Sequence, residues 1–190
     1  MEHAISIELP SSPDPSLYHY YQGLKTNTFY INNEMGSDFI DEIVPPLLQA
    51  DATQSPITIY LNSPGGDVYS GFTLVSILQR LKSPTKIIVL SYALSMGAFV
   101  LMAGASNPNV TRYCYPFSIG LIHGGSMALE GSLSQVKDIY KFSERYEEKI
   151  KDFVLSHTSF TEEEYNKIER SELYLTAEEM LEKGMIDEIL

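Results

Sequence analysis

The chain has 190 residues, of which 44% are apolar, and its formal net charge at pH 7 is −12. This length fits one globular domain. The strong negative charge argues against a nucleic-acid-binding protein, because a phosphate-binding surface needs clustered Lys and Arg.

The remaining composition points to a cytoplasmic protein without a membrane anchor. No apolar run approaches the roughly 18 residues that a membrane-spanning helix needs. Residues 1–12 lack the basic and apolar regions of a secretory signal, so we expect none. Cys114 is the single cysteine, which excludes an intramolecular disulfide and suits a reducing compartment.

The N-terminal part of the chain divides into an arm and the start of a folded domain. Residues 1–24 are polar and rich in turn-forming residues, so we predict an arm that precedes one domain over 25–190. The first strand is predicted at 28–31. A helix follows, and the consecutive Pro45 and Pro46 are expected to end or kink it, because proline lacks an N–H and clashes with the preceding turn.

The middle of the chain alternates between short strand-like runs and helical segments. Apolar residues that recur every three or four positions indicate a helix after the Gly65-Gly66 turn. The predicted elements are, in chain order, a strand at 57–61, a helix at 69–81, a strand at 86–90, a helix at 95–105 and strands at 112–114 and 119–122.

The C-terminal third is mostly helical. An apolar stripe predicts a long helix over 132–156. Thr161 and Thr176 each begin a Thr-x-x-Glu capping box, which predicts two shorter helices. The alternation of strands and helices along the chain predicts an α/β domain built from crossover units.

Ser95 is the candidate nucleophile. It follows an apolar strand and begins a helix, so its Oγ would lie where helix N–H groups favour negative charge. Gly97 and Ala98 keep the turn small and let a substrate approach. Serine is also a common N-cap residue, and the local sequence leaves both interpretations open.

Two backbone N–H groups are candidates for an oxyanion hole, which stabilises the negative charge of acyl transfer. The N–H of Met96 directly follows the candidate nucleophile. Gly66 ends a Pro64-Gly65-Gly66 turn in which the backbone can come close to a ligand. An ordinary strand-to-helix turn explains the same glycines.

His123 is the candidate general base, and Glu172 is the candidate carboxylate that orients it. His123 ends a predicted strand and precedes Gly124-Gly125, so it can reach into a cleft. A lone histidine is more often structural, and Glu172 by itself fits a solvated surface residue equally well. No spacing of His, Cys and carboxylates resembles a metal-ligand motif.

A set of motifs in a fixed order runs from Thr58 to Leu190. They are Leu61-Asn62-Ser63-Pro64-Gly65-Gly66, Ala93-Leu94-Ser95-Met96-Gly97-Ala98-Phe99, Ala103-Gly104-Ala105, Arg112-Tyr113-Cys114-Tyr115-Pro116, Ile122-His123, Leu175-Thr176-Ala177-Glu178-Glu179 and Gly184-Met185-Ile186-Asp187. With them the chain resembles the Clp protease proteolytic subunit, the ClpP family of serine peptidases within the crotonase-like superfamily. The resemblance implies a ClpP/crotonase-like α/β fold of repeated strand–strand–helix units, from which the long helix projects.

The resemblance implies an ATP-dependent type of serine endopeptidase. By position, Ser95 is the nucleophile, His123 the base and Glu172 the acid, and the N–H groups of Gly66 and Met96 form the oxyanion hole. The chain itself is expected to need no metal or cofactor, because any ATP would be used by a partner unfoldase.

The resemblance also implies a homo-oligomer of heptameric rings stacked in pairs, a tetradecamer whose chamber hydrolyses unfolded polypeptides. The implied partners are an AAA+ unfoldase and, in a mixed ring, a second ClpP paralogue. Nucleic acids and membranes are not expected as partners. Thr58 and Arg80 are polar in the region where the family docks its unfoldase.

Two departures from the family pattern keep alternative functions open. Glu172 stands where the family usually has aspartate, and Gly124-Gly125 stands where it often has Gln-Pro. The first alternative is therefore a catalytically impaired structural or regulatory subunit of a mixed ring. A crotonase-type acyl-CoA enzyme is less favoured, because it would not need the pair of Ser95 and His123.

Overall fold

The computed structural model describes residues 15–168 and 171–190, and within them seven strands form one sheet. The strands are β1 (Thr28–Ile31), β2 (Ile57–Ser63), β3 (Thr85–Leu94), β4 (Val110–Cys114), β5 (Ile119–His123), β6 (Glu172–Leu175) and β7 (Glu188–Ile189). Their order is β1-β2-β3-β4-β7, and β5 pairs with both β3 and β6. Every pairing is parallel except that of β5 with β6.

Seven α-helices accompany the sheet in the described residues, and those between consecutive parallel strands make the crossover connections. The seven helices are α1 (Pro15–Lys25), α2 (Ser37–Ala52), α3 (Val68–Leu78), α4 (Met96–Ala103), α5 (Leu133–His157), α6 (Glu162–Ile168) and α7 (Ala177–Glu182). The predicted α/β fold with a parallel-dominated sheet and one long helix is confirmed.

The hydrophobic core lies between the sheet and its helices. The largest fully buried side chains are Ile31, Met35, Leu47, Ile57, Ile59, Leu61, Leu74, Leu78, Ile87, Leu101, Met102 and Ile122. Most of them come from parallel strands and from the helices that cover the sheet. Burial of this apolar area is the main favourable term in folding.

Strand β3 organises the sheet because its two halves have different neighbours. The first half, Thr85 to Val89, pairs with β4, whereas Tyr92 to Leu94 pair with β5. Both halves lie beside β2, with a register shift between Leu61 and Ser63. The end of β3 is therefore held between β2 and β5, where the chain turns into α4.

The sequence left two outcomes open for helix α2, an end or a kink at its prolines, and the structure excludes the first. The consecutive Pro45 and Pro46 do not end the helix, which continues to Ala52. Ile43 and Leu47 are buried on either side of the prolines, and this packing keeps the segment helical. Prolines remove two backbone donors, but Pro45 is exposed, so water can satisfy the carbonyl groups left unpaired on that face.

Several element boundaries also differ from the predictions. Residues 15–25 form α1, whereas the sequence indicated an arm as far as residue 24; residues 1–14 lie outside the described part of the chain. Helix α3 ends at Leu78 rather than at residue 81, and β3 extends to Leu94. The short β7 was not predicted, because two residues carry no periodic signal.

The long helix α5 begins with the capping box formed by Ser132 and Gln135. Nearly all of the first ten residues of α5 are exposed. The buried residues of this helix are Ser143 and Val154. The N-terminal half of α5 therefore projects from the domain, and the C-terminal half packs against α4.

The Arg112 guanidinium fastens the C-terminal segment to β4. It donates to both carboxylate oxygens of Asp187, at 3.1 Å from Nε to Oδ2 and 2.5 Å from Nη2 to Oδ1. Its Nη1 donates to the carbonyl groups of Gly184 and Met185. A guanidinium with this many fixed acceptors makes a directional anchor that a lysine cannot replace.

We predict that Asp187→Ala lowers the free energy of unfolding by about 2–3 kcal/mol, because it leaves the buried Arg112 charge without its carboxylate. The effect is smaller than for a fully buried pair, since the Asp187 side chain is 38% exposed. Urea unfolding at one fixed protein concentration measures it. As the control, Glu163→Ala breaks an exposed ion pair with Lys167 and should cost less than about 0.5 kcal/mol. Equal losses of stability in the two variants would contradict the role of the Arg112–Asp187 pair as an anchor.

Candidate active site

Ser95 lies at the junction of β3 and α4 in an unusual backbone conformation. Its φ of 51° and ψ of −122° lie outside the regions that non-glycine residues favour, and such strain costs on the order of 1–3 kcal/mol. The N–H of Ser95 donates to the carbonyl of Leu121 at 2.9 Å, and this bond to β5 holds the turn. Its side chain makes no capping hydrogen bond to α4, so the N-cap interpretation does not explain the residue.

The Ser95 hydroxyl instead contacts His123. The distance from Ser95 Oγ to His123 Nε2 is 2.8 Å, which is a hydrogen bond. When the ring carries its proton on Nδ1, Nε2 is the acceptor and Oγ donates. The pairing of Leu94 with Leu121 brings the ends of β3 and β5 together. Ser95 follows the last residue of β3 and His123 is the last residue of β5, so their side chains meet at this end of the sheet.

The turn after β2 approaches Ser95 closely. Gly65 has a φ of 101°, and a Cβ at this position would lie 2.7 Å from the Cβ of Ser95. Gly66 has a φ of 137°, and its Cβ would lie 2.4 Å from the carbonyl oxygen of Met35. Only glycine fits this geometry without displacement of the backbone. The sequence indicated the turn but not the contact that makes both glycines necessary.

The two candidate oxyanion donors are next to this contact along the chain, since Gly66 follows Gly65 and Met96 follows Ser95. Met96 is the first residue of α4, where a backbone N–H has no partner within its helix. Among the hydrogen bonds of the described residues, none uses the N–H of Met96 or of Gly66. Gly97 is needed for packing, because a Cβ there would lie 2.8 Å from the Ser63 carbonyl oxygen.

Glu172 lies beside His123 but does not contact it through a hydrogen bond. In the antiparallel pairing of β5 with β6, Glu172 is directly opposite His123. Its carboxylate is exposed and accepts a hydrogen bond from the Tyr174 hydroxyl at 3.1 Å. No hydrogen bond in the described part of the chain joins Glu172 to His123.

A cleft of about 490 Å³ opens beside Ser95 and His123. One wall is the segment 124–128, and the opposite walls come from α3, α4 and α5. Its aromatic lining consists of Tyr69, Phe72, Phe99, Phe142, Tyr146 and Tyr165. Asp67 and Glu147 add carboxylates to the lining.

The aromatic residues of the cleft were not identified as site residues from the sequence. Phe72 packs edge-on against Phe99 and Tyr146, and Phe142 stacks on Tyr146. Such residues recur at helical spacing, which in a sequence cannot be distinguished from the core-facing stripe of a helix. Only the packing of α5 across α3 and α4 turns part of that stripe into a cleft wall.

The described residues contain no cluster of three or more His, Cys, Asp and Glu that could hold a metal ion. Within the same residues, no helix combines the length and the apolar character needed to cross a membrane. The Cys114 thiol is buried in the core, and burial raises its pKa to about 11. This thiol is therefore a packing group and not a nucleophile.

The comparison with protein families agrees with this fold. The family model of Clp protease matches residues 14–190, which is nearly the whole chain. The match includes both strand ends that carry Ser95 and His123, the glycine turn before them and the segment that carries Glu172. The chain therefore belongs to the Clp protease family.

Proposed function

We propose that this chain is a ClpP-like serine endopeptidase. The observation that carries the proposal is the 2.8 Å hydrogen bond between His123 Nε2 and the Oγ of the strained Ser95. A nucleophile within hydrogen-bond distance of a base is the arrangement that acyl transfer requires. Membership of the Clp protease family supports the same reaction class.

In the proposed mechanism, Ser95 Oγ attacks the carbonyl carbon of the scissile peptide bond and its proton passes to His123 Nε2. The tetrahedral intermediate then collapses, the C–N bond breaks, and His123 returns the proton to the leaving amine. A water molecule, activated by His123, hydrolyses the acyl-enzyme and regenerates Ser95. General-base catalysis of this kind contributes about 10²–10⁴-fold to the rate.

The N–H groups of Gly66 and Met96 are proposed to hold the oxyanion. Met96 follows Ser95, Gly66 follows the Gly65 that closely approaches Ser95, and no described hydrogen bond occupies either N–H. Donors that are already oriented stabilise developing charge without reorganisation. Glu172 is the proposed acid that orients His123, and its position opposite His123 in β6 supports this role.

The substrate is proposed to be an extended polypeptide that lies along residues 66–68 and past His123 as an added strand. The side chain that precedes the scissile bond would enter the aromatic cleft. The proposed peptide hydrolysis needs no metal or nucleotide bound to this chain. ATP would be used by a partner AAA+ unfoldase.

The assembly is proposed to be a pair of stacked heptameric rings in the cytoplasm. Members of the Clp protease family generally form oligomeric rings, which supports ring formation here. The projecting half of α5 offers an exposed surface for contacts between rings, with Leu133, Ile139 and Tyr140 exposed on it. If the chain is instead a catalytically impaired subunit, the proposed assembly is a mixed ring with a second ClpP paralogue.

A second candidate function is a catalytically impaired structural or regulatory subunit. The observation that favours it is the hydrogen bond of Glu172 to Tyr174 instead of to His123. In this case the protein would form rings, but Ser95 would react slowly. A fluorophosphonate probe distinguishes the two candidates, because it labels only an activated serine.

Ser95→Ala tests the nucleophile directly. We expect hydrolysis of a short fluorogenic peptide to fall at least about 1000-fold, because the nucleophile is lost. The oligomer, sized by sedimentation velocity, should stay the same. Ser76→Ala is the matched control, since this hydroxyl lies on the exposed face of α3 and bonds only its own helix. Equal hydrolysis by Ser95→Ala and the unchanged protein would refute the assignment.

Gly65→Ala tests the close approach of the glycine turn. We expect kcat/KM to fall about 100-fold, the cost of a displaced oxyanion donor, because the new Cβ would push against Ser95 Cβ and Met96 N. Gly36→Ala is the control, since a Cβ there has no atom within 4 Å. The measurement is peptide hydrolysis by the two purified variants. Activity within twofold of the original in Gly65→Ala would show that the turn is not part of the site.

The cleft predicts the preferred side chain before the scissile bond. Peptides with Leu, Met or Phe at this position should be cleaved with at least about tenfold higher kcat/KM than peptides with Asp, because aromatic walls and two carboxylates disfavour an anion. Phe142→Ala should weaken this preference. Phe117→Ala, which removes a 96% exposed ring outside the cleft, should leave it unchanged. Equal kcat/KM values for both types of peptide would show that the side chain before the scissile bond does not enter the aromatic cleft.

A further inference from the structure

The carboxylate of Glu172 has two neighbours that compete for it, His123 and Tyr174. Opposed residues of an antiparallel pair lie on the same face of the sheet, and so do residues two positions apart in one strand. His123 is opposite Glu172, and Tyr174 is two positions further along β6. All three side chains therefore share one face at the edge of the sheet.

In the structure the carboxylate is directed at Tyr174. Glu172 Oε2 accepts from the Tyr174 hydroxyl at 3.1 Å. The Cβ atoms of a directly opposed pair lie about 4.5–5.5 Å apart, so the glutamate side chain is long enough to reach His123 Nδ1 instead. Within the described residues, no hydrogen bond to Nδ1 of His123 is present.

The surroundings of the pair allow the side chain to turn. Glu172 is exposed and Tyr174 is 56% exposed, so a change of rotamer meets water and not packed core. A phenol is protonated near neutral pH at its ordinary pKa, and the hydrogen bond to Glu172 raises the pKa of Tyr174 further. The hydroxyl can therefore donate to the carboxylate at neutral pH.

We propose that Tyr174 is a positioning residue that holds the Glu172 carboxylate away from His123 and so limits the activity of the Ser95–His123 pair. Loss of the Tyr174 hydroxyl frees the carboxylate to accept from His123 Nδ1. In that orientation it fixes the ring tautomer in which Nε2 accepts the Ser95 proton, and it stabilises the imidazolium that forms. This inference rests on the proposed function.

The test is a double-mutant cycle on Tyr174 and Glu172, with hydrolysis of a short fluorogenic peptide as the readout. Tyr174→Phe should raise kcat about two- to tenfold, the range set by the net worth of one hydrogen bond. KM should stay within twofold, because Tyr174 does not line the cleft. In a Glu172→Gln background, Tyr174→Phe should have no effect on kcat.

Tyr115→Phe is the matched control, since it removes the hydroxyl of another half-exposed tyrosine outside the cleft. It should leave kcat and KM unchanged. Sedimentation velocity and circular dichroism on each variant verify that assembly and fold are retained. A gain that persists in the Glu172→Gln background would overturn the proposal, because the effect would not pass through the carboxylate.

A second result would also overturn the proposal: kcat of Tyr174→Phe is unchanged or lower, although the original protein shows Ser95-dependent hydrolysis. Failure of the proposed function has a different signature. In that case neither the original protein nor Tyr174→Phe would hydrolyse the peptide, and a fluorophosphonate probe would label Ser95 in neither of them.

Discussion

The pairing of the last residues of β3 with β5 is the contact on which the candidate site depends. Tyr92 to Leu94 lie beside Ile119 to Leu121, and the Leu121 carbonyl accepts the N–H of Ser95. This bond holds Ser95 in a conformation that a non-glycine residue seldom adopts. The strained turn is stable because buried strands on both sides determine its ends, and it directs Oγ at His123. The distance between Ser95 Oγ and His123 Nε2 is thus a consequence of sheet register and not of local sequence.

A second constraint is the close approach of the turn after β2. Gly65 and Gly66 leave room for the Ser95 turn on one side and for Met35 on the other. Their positive φ values let the chain reverse within a few residues, and the Gly65 N–H donates to Ser63 Oγ at 3.2 Å. The glycine turn and the Ser95 turn therefore belong to one packed unit.

The third member of the proposed triad stands apart from this rigid unit. Glu172 is placed by the antiparallel pairing of β5 with β6, at the edge of the sheet, where its side chain is exposed. A glutamate has one more rotatable bond than the aspartate usual in the family, so the register alone does not determine the direction of its carboxylate. In the structure the carboxylate accepts a hydrogen bond from the neighbouring Tyr174 hydroxyl. The site thus combines two residues held by packing with one residue held by a single surface hydrogen bond.

The sequence by itself determined most elements and the chemically important residue types. Alternating apolar runs predicted β1 to β5 and the helices between them, because these patterns depend on local periodicity. Ser95 and the Gly65-Gly66 turn were proposed as site residues from strand-to-helix junctions, His123 from the end of a strand, and all of them from the family resemblance. The capping boxes at Thr161 and Thr176 were also predicted correctly, since a cap is a contact within four residues.

Only the tertiary structure decided what depends on contacts between distant segments. Helix α2 continues through Pro45 and Pro46 because its buried side chains outweigh the cost of two missing donors. The aromatic cleft exists because α5 crosses α3 and α4, and its residues look like an ordinary core stripe in the sequence. The orientation of Glu172 toward Tyr174 is a choice between two nearby partners. Local sequence carries no information about such choices, because packing and register set the distances that decide them.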